Sequence, residues 1–127
     1  MINIKICTDG ITVTGHAGHA PPGEDIVCAA VSVLVQTLAV SIGELTADEI
    51  TYDMQHGNAV IRYKDLTELG KLLVESFFIG VNGIAASYPE CIRVSREARP
   101  SVEVDKSNRR ISIGSENYGR ERNENER

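Results

Sequence analysis

The chain has no tryptophan, two phenylalanines and four tyrosines, so any core must rest on aliphatic side chains. It also lacks an excess of positive charge, since 13 Lys and Arg stand against 18 Asp and Glu. That balance speaks against general nucleic-acid binding, which needs clustered cations facing the phosphates. Three cysteines, Cys7, Cys28 and Cys91, are an odd number and carry no CxxC pair. Free thiols in a reducing cytoplasm are expected, not a disulfide framework. Met1 to Ile6 alternates like a strand and lacks a basic segment and a cleavage site, so it does not read as a signal peptide. The longest apolar stretch, residues 26–42, approaches a bilayer span in length. It carries Ser32, Gln36, Thr37 and Ser41 and lacks flanking Lys and Arg, so a buried helix of a soluble protein is expected, with no membrane partner.

What is present fits one small domain. A chain of 127 residues can bury about two-thirds of its unfolded surface. Residues 2–7 and 11–15 read as strands around Thr8-Asp9-Gly10, where Gly10 supplies positive φ for a hairpin. Residues 15–24 hold three Gly, two Pro and two His, a loop composition. Asp25 is a natural N-cap for a helix that Gly43 ends. Val27, Val31, Leu34, Leu38 and Ile42 line one side of that helix, and alanines predict burial on most of the others. Residues 49–54 and 59–63 read as strands joined through His56-Gly57-Asn58. A second helix follows over 66–87, striped by Leu69, Leu73, Phe77, Val81 and Ile84 and stopped by Pro89. Residues 91–94 make a last strand. The order ββαββαβ predicts the α/β (α+β) class: one small domain over residues 1–97, with an antiparallel or mixed sheet covered by two helices. Residues 98–127 read as a polar, disordered extension, with marginal strands at 102–104 and 111–113.

The segment Gly15-His16-Ala17-Gly18-His19 through Asp25-Ile26-Val27-Cys28-Ala29-Ala30-Val31-Ser32 carries the chemistry. His16 closes a strand, Cys28 sits in the first turn of a helix, and the loop between can fold back to bring imidazole to sulfur. Free N–H groups of the first turn favour negative charge on that sulfur and can hold an oxyanion when it attacks a carbonyl. The imidazole takes the thiol proton and later protonates a leaving amine. From the residues alone a second reading stays open, in which Cys28 is an inert packing thiol.

Gly15-His16-Ala17, then Asp25-Ile26-Val27-Cys28-Ala29-Ala30 and Ser32 at this spacing, resembles the signature of the ribosomal-processing cysteine protease family, Prp. The resemblance covers the chain to about residue 97. It implies Cys28 as nucleophile and His16 as base, with Asp25, Ser32 and Gly15 in support; Gly15 stands where a side chain would crowd the site. It also implies a mobile substrate loop hinged at Gly18 and Gly23, stiffened by Pro21-Pro22, and a homodimer. The implied activity is removal of a short N-terminal extension from the twenty-seventh large-subunit ribosomal protein, or from a phage protein with a similar leader. No cofactor or metal is implied.

His19 departs from the family's usual aromatic and reads as a loop residue, a competing base or a metal ligand. Two rival functions remain: a zinc site from His16, His19 and Cys28, and a ribosome-associated interaction protein without catalysis. Cys7, Cys91 and His56 read as strand and turn residues. Phe77 and Phe78 read as core and dimer surface.

Overall fold

The computed structural model describes residues 1–21 and 23–97. Pro22 and the polar extension 98–127, with its two marginal strands, lie outside the described residues. The element order is β1 (Ile2–Cys7), β2 (Gly10–Thr14), α1 (Ile26–Leu45), β3 (Ile50–Gln55), β4 (Asn58–Tyr63), α2 (Glu68–Ser87) and β5 (Ile92–Arg96). The strands form one sheet in the order β3-β4-β2-β1-β5. Among the described residues only β1 and β5 run parallel, in the register Ile2 to Ile92; the other pairings are antiparallel. The sheet is therefore mixed and the fold α+β.

Period-two alternation decides which face is covered. Ile2, Ile4 and Ile6 of β1 are buried while Asn3 and Lys5 are exposed, and Ala59, Ile61 and Tyr63 of β4 repeat the pattern. Both helices pack against that one apolar face and against each other. Ile4, Ile11, Ile42, Ile61, Val27, Val35 and Val81 are almost fully enclosed, which gives the aliphatic core the composition demands. Each such side chain contributes about 1.5–3 kcal/mol relative to exposure.

Several local expectations need correcting. Gly10 does not adopt positive φ; a Cβ there would lie 2.5 Å from the Ile61 carbonyl oxygen, so the glycine serves the close approach of β4. Gly43 does not end α1, which runs two residues further. The helix stops where Thr46 donates to the Ile42 carbonyl from both its N–H (3.2 Å) and its Oγ1 (2.7 Å). Nor is α1 buried on most faces: Ile26, Val33 and Val40, at seven-residue spacing, are exposed. On α2 the buried stripe is Gly70, Val74, Phe77 and Val81, whereas Leu69 is exposed in the first turn. That helix starts at the cap Thr67, whose Oγ1 accepts from the Gly70 N–H and is itself held by Asp48. Cys91 is a buried turn residue ahead of β5.

Both helices are long and apolar enough to cross a membrane by length and composition alone, yet each lays a buried stripe on the sheet. Phe77 is core. Phe78 is half-buried beneath the Arg96 guanidinium, 3.6 Å from its ring centroid, and Arg96 also meets Glu75 at 2.9 Å, so β5 is locked to α2.

Candidate active site

The site forms where the end of β2, the β3–β4 turn and the start of α1 converge. Thr14 of β2 pairs with Asn58 of β4, and beyond it the Gly15 N–H donates to the Gly57 carbonyl at 3.0 Å. Gly15 adopts φ +96°, and a Cβ would collide with the Met1 carbonyl oxygen. What excludes a side chain at residue 15 is thus the start of β1, not the site cleft. His16 follows. Its ring stacks on His56 with centroids 4.8 Å apart and planes tilted by 45°. The adjoining Gly57 has φ +77°, and a Cβ there would lie 2.7 Å from His16 Nε2.

Asp25 organises the loop. As N-cap of α1, its Oδ1 accepts from the N–H groups of Val27 and Cys28, each at 3.0 Å. Its Oδ2 accepts from the loop, from His19 N–H at 2.9 Å and Ala20 N–H at 3.3 Å. Burial alone would raise the carboxyl pKa, but these four donors outweigh it and hold the group below its ordinary value. Asp25 therefore ties loop to helix, and among the described residues it makes no hydrogen bond to His16.

Cys28 is half-buried at the mouth of the helix. The N–H groups of Val27 and Cys28, expected to be free for an oxyanion, are already occupied by Asp25. The donor that does face the sulfur comes from the loop: Ala17 N–H lies 3.4 Å from Sγ. His16 and Cys28 open onto one cleft of about 770 Å³, which Ser32, Gly15, Gly18 and Gly23 also line. Among the described residues no hydrogen bond joins His16 to Cys28; the two face the same space. Ser32 sits one helical turn beyond the sulfur. The cleft's apolar wall comes from residues such as Val13, Val31 and Met54.

His19 does not line this cleft. Its ring meets Tyr88 edge-on, with centroids 5.3 Å apart. Among the described residues no three His, Cys, Asp or Glu side chains converge as a metal site, so the zinc reading finds no geometry. Cys91 is 3% exposed, and burial pushes its thiol pKa up.

Two neighbours of the candidate pair escaped the sequence reading. Ala17 meets the Cys28 sulfur through its backbone, which no side-chain pattern reveals. His56 had only a turn to its name, because the β2–β4 pairing that brings it to His16 joins segments far apart in sequence.

Comparison with known proteins identifies the family. The family model described as Cysteine protease Prp matches residues 1–93. The ribosomal processing cysteine protease Prp of Staphylococcus aureus is 31% identical over 88 residues, which span 67% of this chain and 83% of that protein. The crystal structure of the S. aureus protease in complex with a covalently linked product peptide superposes with a TM-score of 0.72 at 25% identity. It covers 76% of this chain and all of that one. SMU.848 from Streptococcus mutans gives a TM-score of 0.68 at 29% identity, over 78% of this chain and 96% of its own. The chain belongs to the ribosomal-processing cysteine protease family, Prp.

Proposed function

We propose that this protein is an endopeptidase that removes a short N-terminal extension from a ribosomal protein, the twenty-seventh of the large subunit, or from a phage protein with a similar leader. The observation that carries the mechanism is the shared cleft: His16 and Cys28 face it from two sides, with the Ala17 N–H on the sulfur. As Cys28 Sγ attacks the scissile carbonyl, the thiol proton passes to His16. The S–C bond forms, the C–N bond breaks, and His16 returns the proton to the leaving amine. Water then hydrolyses the thioester and frees the thiol. The relative crystallised with a covalently linked product peptide supports a peptide substrate in this cleft.

Asp25 supports the site by fixing the loop, and Gly18 and Gly23, at φ +70° and +88°, give that loop its pivots. The protein acts in the cytoplasm as a homodimer that binds neither nucleic acid nor membrane. The net charge of −5 supports the absence of a nucleic-acid partner. The exposed stripes Ile26, Val33, Val40 on α1 and Leu72, Ile79 on α2 support a face covered by a second copy. Sedimentation as a monomer at micromolar concentration would remove the dimer from this proposal.

The deciding experiment incubates the protein with a peptide spanning the extended N-terminus of that ribosomal protein and reads the products by mass spectrometry. Cleavage that disappears in Cys28→Ala supports the proposal. An intact peptide that nevertheless binds would indicate an interaction protein without catalysis.

A further inference from the structure

We infer that His56 is a positioning residue for the base: its imidazole, presented by the β3–β4 turn, holds the His16 ring in place at the wall of the cleft. The inference rests on the cysteine-protease mechanism proposed above, in which His16 moves the proton. Three independent contacts point to it. The two rings stack at 4.8 Å, tilted by 45°. The Gly15 N–H is bonded to the Gly57 carbonyl at 3.0 Å, so the residues flanking the two rings are tied together. Gly57 leaves room for the His16 ring that no other residue would leave, since a Cβ would sit 2.7 Å from Nε2.

The need for such a partner follows from the surroundings of His16. It is exposed at the end of a strand and opens the loop to Asp25. Among the described residues no carboxylate is hydrogen-bonded to its ring, and both Asp25 oxygens are engaged by backbone N–H groups. An exposed imidazole with one end free samples several rotamers, and misplacement by a fraction of an ångström weakens proton transfer. The His56 ring and the Gly57 backbone, both packed against it, restrict it to fewer. The contact is a tilted packing of the two rings, so it needs an aromatic ring at residue 56 and not a titrating nitrogen.

The test compares wild type with His56→Ala and His56→Phe, all checked for an unchanged melting temperature, which the exposure of His56 favours. Two readouts are taken near neutral pH: kcat and KM for the leader peptide, and the rate of iodoacetamide alkylation at Cys28, followed by peptide mass mapping. His56→Ala is expected to lower kcat and the alkylation rate about tenfold with KM within about twofold, while His56→Phe stays near wild type. Equal kcat and alkylation in wild type and His56→Ala overturn the inference and leave the protease function standing. A rise in KM alone also overturns it, because His56 would then contact substrate. No rescue by His56→Phe overturns it too, since the ring plane would not be what matters. If wild type leaves the peptide uncut but the alkylation series keeps its order, the protease proposal fails and the positioning role stands.

Discussion

The backbone N–H of Ala17 faces the sulfur of Cys28 at 3.4 Å, while the N–H of Cys28 itself is turned to Asp25 at 3.0 Å. The Cys28 sulfur is thus served by a donor from the loop, and the helix end is served by the cap. Removal of the two side chains that share the cleft separates chemistry from fold. Cys28→Ala is expected to abolish peptide cleavage, and His16→Ala to lower kcat by about 10²–10⁴-fold, the range for losing a general base. Neither residue belongs to the enclosed core, so both variants keep the wild-type circular dichroism spectrum. Iodoacetamide should also modify Cys28 far more slowly in His16→Ala. Equal rates in the two proteins would remove His16 from the path of the proton.

The three free thiols differ in access, and two of them have raised pKa values. Cys91 is 3% exposed, and burial, reinforced by the charges of Glu90 and Asp25, pushes its pKa up. The Cys7 pKa is also raised, first by burial and then by Glu97. Short alkylation of the folded protein should therefore label Cys28 ahead of both, with Cys91 modified only in denaturant. Mass mapping reads this directly. Labelling of Cys91 at the rate of Cys28 in the native state would contradict its burial.

Much of this fold was legible because the physics is local. Alternation in Ile2–Cys7 and the cap at Asp25 each place an element without knowledge of its neighbours. The candidate pair was legible too, since Gly15-His16 and Asp25 through Cys28 lie within fourteen residues. What escaped depends on contacts between distant segments. The close approach at Gly10 needs β4, the collision at Gly15 needs Met1, and the stack at His16 needs the turn at His56. Occupation of the Val27 and Cys28 N–H groups was foreseeable, because a capping aspartate uses the donors an oxyanion would need. The open outer stripe of α1 was misjudged because apolar content alone does not say whether a helix is covered by its own chain.

Tyr63 gives the fold a sensitivity to alkali. Its ring is buried at the inner end of β4 and its hydroxyl donates to the Cys7 carbonyl at 3.2 Å. Burial, with the nearby Cys7 and Asp9, pushes its pKa up to about 12. The folded state thus favours the neutral phenol relative to the unfolded chain, where the pKa is about 10. Stability from this group is full below about pH 10 and falls as pH rises toward the folded value. Urea melts across that interval should show a declining midpoint, and Tyr63→Phe should flatten the decline. It should also lose about 1 kcal/mol at neutral pH with the hydrogen bond. An equal decline in both proteins would assign the alkaline loss to another group.

Asp25 makes the opposite, acid-side dependence, and it bears on the loop. Its folded pKa is depressed by four N–H donors despite burial, so the tie it forms is complete above the unfolded value of about 3.9 and is lost as pH falls through the lower folded value. Protection of the His19 and Ala20 amides against hydrogen exchange, corrected for intrinsic rates, should decline over that window. Asp25→Asn divides the two functions of the side chain. One amide oxygen can still accept from Val27 and Cys28, but the –NH₂ cannot accept from the loop. In that variant, protection at His19 and Ala20 should fall about tenfold near neutral pH, as expected for a lost hydrogen bond to a charged group, while the first turn of α1 keeps its own. The acid dependence should vanish with it. Unchanged protection at His19 and Ala20 in Asp25→Asn would mean that the loop is held by something other than this carboxylate, and Asp25 would keep only the role of helix cap.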